Sequence, residues 1–212
     1  MEGNKQVSMN TNALEVKINA IEILKNLAKN LEVHIFDFVE DIAKLCIQKL
    51  LNDPFAMTIR KESAKCMRFL IGACKEHPDK QKALFIMTYV QLMSELEKRK
   101  NRKEFDQINS ILKELFKMLS NFYHFKEKNL TVFTVEDAQT LIKKLVEIVQ
   151  LIQQDKQDRL KEIKRLGKKV DAEDLEYFEE DLEANDKGIH HVMEINGFLM
   201  QNMGDQISGF VG

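Results

Sequence analysis

The sequence predicts an all-α protein made of stacked helix pairs, and three observations carry that reading. Helix breakers are scarce: the 212 residues include two prolines and eight glycines, against abundant Leu, Ile, Lys, Glu and Gln. Apolar residues recur three and four positions apart through most of the chain, the period of one helix face. The helical segments also recur at a fixed offset, so that "EVKINAIEILKNLA" falls on "TIRKESAKCMRFLI" 43 residues later. At 44% hydrophobic and 31% charged, the chain can bury a core and is not compositionally disordered.

The first helix is expected over 12–30, with Leu14, Ile18, Ile21, Leu24, Leu27 and Ala28 on one side. The second, 36–51, uses Val39, Ile42, Ala43, Cys46 and Leu50. Pro54 in "NDPF" then removes a donor and disfavours helical geometry at Asp53. A third helix covers 57–75, and "EHPDK" punctuates again. The fourth, 79–98, carries Leu84, Met87, Val90 and Leu92, and a fifth runs over 104–123. The sixth begins at Thr134, whose hydroxyl can cap, with Asp137 three residues on as a shortened capping box. It extends as far as Leu166. In "IHHVMEINGFLMQNMG", Val192, Ile195, Leu199 and Met203 keep helical period.

The offset places Val16-Lys17 on Ile59-Arg60 and Leu24 on Met67, and Leu112 follows 45 residues after Met67. Helix pairs recurring at roughly 40–47 residues are the signature of HEAT or armadillo solenoids. Asn52-Asp53, then Ile59-Arg60, then Ala64 fits a HEAT turn and the basic residue that opens the next helix. Its mechanical sense is a ladder, in which the Asp of one repeat pairs with the Arg or Lys of its neighbour while apolar faces stack. The expected fold is therefore a HEAT-repeat α-solenoid of about three helix pairs plus a half repeat. Residues 1–11 read as a frayed start, and 12–53, 54–100 and 101–168 as repeats, the last with an extended second helix. An acidic connector helix, 169–186, leads to a truncated half repeat, 187–212. A last helix without a partner reads as part of a longer array, since solenoids normally end on a polar cap.

The net charge of −2 advertises neither nucleic acid nor an anionic membrane. No apolar run approaches the roughly eighteen residues of a membrane span. Cys46, Cys66 and Cys74 sit in apolar helical stretches and read as core thiols of a reducing compartment. Cys66 and Cys74 lie roughly 12 Å apart along one helix, too far for a disulfide. There is no Gly-rich phosphate loop, H-E-x-x-H, C-x-x-C or G-x-S-x-G, so no enzyme is expected. His190 and His191 adjoin Glu194, but neighbours on a helix point about 100° apart; one exposed and one partly packed ring is the expectation. His34, His77 and His124 lie near helix ends, and the ten methionines read as packing material.

"DAEDLEYFEEDLEAND", 171–186, holds nine carboxylates in sixteen residues with no Lys or Arg. It lacks the turn glycine and ligand spacing of a calcium loop. Leu175, Phe178 and Leu182 fall three and four apart, so the segment reads as an amphipathic acidic helix anchored by those three. Its carboxylates either balance the basic run before it or dock a basic partner. That run, Lys161, Lys164, Arg165, Lys168 and Lys169, and a second, Lys98, Arg99, Lys100, Arg102 and Lys103, have no interleaved aromatics. Neither offers a stacking platform for single-stranded nucleic acid.

"QKLLNDPFAMTIRKESAKCMRFLIGAC", the run "LIKKLVEIVQLIQQDKQDRLKEIKRL" and the acidic helix leading into "HHVMEINGFLMQNMG" resemble the importin-beta (karyopherin-beta) family. The similarity is closest to the importin-five, or beta-three, branch, over residues 12–210, and rests on the order of elements. What the resemblance implies is a nuclear transport receptor shuttling between cytoplasm and nucleus. First helices would form the convex face, which binds phenylalanine-glycine nucleoporins. Second helices would line the concave face, which takes basic nuclear-localisation cargo and the GTP-bound Ran GTPase. Carried onto this chain, the inner face comes from 36–51, 79–98 and 134–166, with Glu40, Asp41, Lys44, Gln91, Glu95 and Glu147 as polar candidates. The connector residues Glu173, Asp174, Glu176, Glu179, Glu180, Asp181 and Glu183 match an acidic element of the branch by position and composition. The chain departs from the family in having few acidic residues on the inner helices and no Trp. The alternative of another class is a HEAT scaffold subunit of a stable complex, such as a phosphatase or condensin-like assembly.

Overall fold

The computed structural model describes residues 11–51, 53, 56–122, 133–166 and 172–207, with 11, 166, 172–178 and 181 described by backbone alone. All regular secondary structure among the described residues is helical. The elements are α1 (Thr11–Leu31), a 3₁₀ segment (Glu32–Phe38), α2 (Val39–Leu45) and a π segment (Cys46–Leu50). They continue as α3 (Met57–Ala73), α4 (Pro78–Arg102), α5 (Phe105–Phe122), α6 (Val135–Leu166) and α7 (Ala172–Ile207). No described helix is long and apolar enough to cross a membrane. The chain divides into two compact units, Met1–Gln91 and Leu92–Gly212, the division falling inside α4.

In the first unit α1 packs along α3, and the 3₁₀ and π segments also lie on α3. Ile21 and Ala28 of α1, Ile35, Val39 and Cys46 of the middle segments, and Ile59, Cys66, Met67, Leu70 and Ile71 of α3 are all buried. Each such aliphatic contributes about 1.5–3 kcal/mol by leaving water, before the entropy of ordering is subtracted. The expected single helix over 36–51 is instead 3₁₀, α and π in succession. Glu32, at φ 47°, turns the chain after α1. Farther on, the buried residues Val39, Ile42, Ala43 and Cys46 keep α period, but the next one, Leu51, comes five positions later. The wider π turn, closed by the Leu51 amide donating to the Cys46 carbonyl at 2.8 Å, keeps Leu51 inside. After the "EHPDK" break, the Gln81 amide donates to the His77 carbonyl at 2.9 Å, and Pro78 takes the first helical position of α4, where no donor is needed.

Asp53 is buried before α3, where its Oδ1 accepts from the Ala56 amide at 3.0 Å and its carbonyl accepts from the Arg60 guanidinium. Its Oδ2 meets Lys17 Nζ of α1 at 3.5 Å. Lys17 and Arg60 are the two positions that the 43-residue offset superimposes; Lys17 falls in the same expected repeat as Asp53, and Arg60 of the next one meets the Asp53 carbonyl. A second tie joins the same helices: Glu62 of α3 accepts from Lys25 of α1 and from Lys65, each at 2.5 Å.

In the second unit α7 packs against both α5 and α6. Ile108, Leu112 and Leu115 of α5, Leu141, Leu145, Ile148 and Ile152 of α6, and Val192, Ile195, Leu199 and Met203 of α7 are buried, and Phe116 meets Phe198 edge to face at 6.4 Å. α4 ends in a Schellman turn: the Glu104 amide donates to the Arg99 carbonyl and the Lys103 amide to the Lys100 carbonyl, both at 3.1 Å, with Lys103 at φ 56°. The Thr134–Asp137 box closes in both directions, the Thr134 amide donating to Asp137 Oδ2 at 2.9 Å and the Asp137 amide to Thr134 Oγ1 at 3.1 Å.

Further expected details differ: Leu27, expected on the same side of the first helix as Ile21 and Ala28, is exposed. Met87 and Val90 are exposed; the buried residues of α4 include Leu84, Phe85, Thr88, Leu92, Glu95 and Leu96. A helix covered on one side admits only one stripe of about a third to a half of its circumference, and these two fall outside it. The acidic segment and the segment after it, expected as separate elements, are one continuous helix, α7.

Candidate partner-binding surface

The carboxylates expected to face a partner fall into three environments. Glu40 and Asp41 are exposed at the start of α2, beside exposed Lys44. Glu40 pairs with Lys80 at 3.2 Å, and the same ammonium sits 4.7 Å above the Phe36 ring, which stacks on His77 at 3.8 Å between ring centres. An open hollow of about 300 Å³ beside them is lined by Phe36, Glu76, His77, Pro78, Asp79 and Lys80. It holds a stack and one ion pair, with no nucleophile–base arrangement.

Glu95 and Glu147 are both paired within the chain, Glu95 buried and Glu147 exposed. Glu95 is only 3% exposed, and its carboxylate takes Lys98 at 2.6 Å and Arg99 at 3.1 Å. Arg99, itself buried, also reaches Glu104 at 2.7 Å. Burial alone would lower the Arg99 pKa; Glu104 and Glu95 outweigh it and hold the guanidinium above its usual value. Glu147 meets Lys100 at 2.5 Å, Lys100 meets Glu97 at 2.9 Å, and Glu97 meets Lys144 at 2.7 Å. Lys144 and Lys100 hold the Glu97 carboxyl below the ordinary glutamate range, while Glu147 and Glu97 raise Lys100. Lys98, Arg99 and Lys100 of the basic run are thus answered by carboxylates of α4, α6 and the α4–α5 turn, and Arg102 and Lys103 are exposed. Gln91, also on α4, is half-buried.

The third environment is the acidic part of α7. Glu179, Glu180 and Glu183 are exposed, Glu183 pairing with Lys187 one turn on at 2.8 Å. The side chains of Glu173, Asp174, Glu176 and Asp181 lie outside the described residues, as do those of the expected anchors Leu175 and Phe178. Leu182 is half-buried, as an anchor should be. Sequence reasoning missed the strongest fixings of this segment. The Asn109 amide donates to the Ala184 carbonyl at 2.6 Å, and Asn185, buried, donates to Asp155 at 3.4 Å beside the Arg159–Asp155 pair at 2.6 Å. Gly188 lets α7 approach closely, since a Cβ there would lie 2.6 Å from Asn109 Oδ1 and 2.9 Å from Ile152 Cδ1. The one signal in the sequence was that glycine, inside an otherwise helical run. Of the basic run before the acidic stretch, Lys161 pairs with Asp158 and Arg165 with Glu162 on their own helix, and Lys168 and Lys169 lie outside the described residues. The cross-helix pairing here is Lys156–Asp186 at 3.3 Å.

The remaining candidates are structural in character. His190 is exposed, and His191 is half-buried with Nδ1 2.7 Å from Glu194. All three thiols are buried and free; a hydrogen bond with Cys46, together with burial, pushes the Cys66 thiol far up, so it stays protonated and unreactive. Among known proteins, no family model, no curated protein and no solved structure matches this chain.

Proposed function

We propose that this chain is a HEAT-repeat receptor of the importin-beta type, which binds basic nuclear-localisation cargo and is regulated by the Ran GTPase. One observation carries the reading: Glu179, Glu180 and Glu183 stand exposed on a helix whose other side is held to α5 and α6. A row of carboxylates on a fixed helix steers Lys and Arg toward it and accepts charge-assisted hydrogen bonds without first having to be ordered. The solenoid arrangement is part of the same proposal and draws support from the packing of α1 along α3, the two helices that the 43-residue offset superimposes. Exposed pairs each contribute about 0.2–1 kcal/mol, so several must act together and affinity must fall with salt. Nucleoporin contacts on the outer helices, and shuttling between nucleus and cytoplasm, belong to this reading.

A scaffold subunit of a stable complex is the second reading. It is favoured by the pairing of Glu95 and Glu147 with lysines and arginine of this same chain, two of the carboxylates that the receptor reading would present on its inner face. Immobilised basic peptide and GTP-loaded Ran separate the two. The receptor reading expects peptide capture at low salt, lost at high salt and displaced by GTP-loaded Ran but not by its GDP form. No capture at low salt, and no Ran binding in either nucleotide state, would sink it.

A further inference from the structure

Two of the three thiols meet inside the first unit. Cys46 opens the π segment, Cys66 lies within α3, and both are completely buried. The π segment packs on α3, and there the two thiols are close enough to hydrogen-bond to one another. Cys74, also buried, caps the end of α3 roughly 12 Å farther along the helix axis and stands apart from the pair. Spacing along the chain hides this contact, because its members are 20 residues apart with the Pro54 break between them. A single core cysteine behaves as a small apolar residue. Two in contact across separate elements are also the two halves of a covalent link. The element that carries Cys46 is the irregular one: its wide turn is closed by the Leu51 amide on the Cys46 carbonyl at 2.8 Å. Such π turns are rare and collect at functional sites, and short irregular segments open locally more easily than regular core helices.

We propose that Cys46 and Cys66 form a reversible redox lock, joined by a small oxidising disulfide such as oxidised glutathione and tying the π segment to α3. In the closed fold the buried pair is shielded, so the exchange runs through an opened π turn. There the Cys46 thiolate attacks one sulfur of the oxidant, and a first glutathione thiolate leaves. The Cys66 thiolate then attacks the Cys46 sulfur of that mixed disulfide, and the second glutathione leaves as the Cys46–Cys66 bond forms. Two electrons pass from the protein thiols to the oxidant, and the two thiol protons end on the two glutathiones. Excess reduced glutathione runs the same steps backward. The bond closes a loop that contains the break at 51–56 and the first turns of α3, so it holds the connection between α2 and α3 in its folded arrangement.

Incubation of the whole chain with oxidised glutathione, followed by alkylation of remaining thiols and peptide mapping by mass spectrometry, tests this. The folded chain should lose two hydrogen atoms in mass, yield a peptide pair joined through Cys46 and Cys66, and carry the alkyl group on Cys74. In concentrated guanidinium chloride the preference should move to Cys66–Cys74, whose loop is the shorter to close. The locked chain should unfold in urea with an equilibrium constant about a hundredfold smaller than the reduced chain, as a loop of this length implies. Cys74→Ala should still lock, and Cys46→Ala should give glutathione adducts alone. The mapping on the parent needs no variant, so a substituted chain that fails to fold leaves the test intact. Absence of reaction, glutathione adducts without an internal bond, a Cys66–Cys74 bond in the folded chain, or links between chains would each overturn the proposal. A locked chain no more stable than the reduced one overturns it as well.

Discussion

Two acidic regions of the second unit look alike in sequence and behave differently in the structure. Glu95, Glu97 and Glu147, on α4 and α6, are each gripped by Lys or Arg within 3.1 Å. Glu179 and Glu180, on α7, stand in solvent, and Glu183 has one exposed lysine beside it. The difference lies in the surroundings of each carboxylate. Glu95 is removed from water and must be paired; Glu97 and Glu147 are part-exposed but held by lysines; Glu179 and Glu180 keep their hydration and their long-range field for a partner. Acidic composition alone therefore does not locate a docking surface.

The sharpest way to break this comparison is to remove a member of each set. Glu95→Ala leaves a buried guanidinium with one carboxylate instead of two, and should cost about 3 kcal/mol in urea unfolding. Glu179→Gln with Glu180→Gln should stay within about 0.5 kcal/mol of the parent. Equal losses in the two would erase the distinction. A smaller effect concerns how α7 is seated. Gly188→Ala puts a methyl group against Asn109, which is tied to the Ala184 carbonyl, and should destabilise by about 1–2 kcal/mol. Gly197→Ala on the same helix, where a Cβ meets open space, should instead gain up to about 1 kcal/mol.

Acid titration sharpens the picture of the paired carboxylates. Burial raises the Glu62 carboxyl, but hydrogen bonds from Lys25 and Lys65 outweigh it, and its folded-state pKa lies below the ordinary 4.5. Glu97 is lowered likewise by Lys144 and Lys100. A depressed carboxylate contributes stability that is complete above the unfolded value and lost as pH falls through the folded one. Stability should therefore drop below about pH 4.5, and the Glu62→Gln/Glu97→Gln variant should show a flatter acid limb in pH-dependent urea melts. The smallest expected effect is at the α4–α5 turn, where Lys103→Gly removes a side chain from a left-handed position and should stabilise by up to about 1 kcal/mol.

Local features were readable in the sequence because their partners lie within a few residues or one repeat. The Thr134–Asp137 box needs only a three-residue spacing, and the 43-residue offset puts Lys17 and Arg60, which both reach Asp53, in equivalent positions. Even Glu95–Arg99 could have been found, since the two stand one helical turn apart. The Lys100–Glu147 pair was hidden, because its members are 47 residues apart and the sequence offset aligns only the first helices of the pairs. The π turn at 46–50 was hidden for a related reason: it exists to bury Leu51, and which residue must be buried is decided by α3. For the surface of α7, composition placed the carboxylates and period placed the helix. What seats it, Asn109, Asn185 and Gly188, are residues whose roles depend on neighbours distant in sequence.

The most direct test of the account is calorimetric titration of a basic localisation-type peptide into the parent chain and into two charge-reversed chains. One carries Glu179→Lys, Glu180→Lys and Glu183→Lys; the other carries Glu40→Lys and Asp41→Lys, also exposed. The account predicts salt-sensitive binding to the parent, a loss of about tenfold or more in the α7 variant, and a much smaller change in the α2 variant. Equal losses in both variants, or peptide binding indifferent to all five charges, would contradict it.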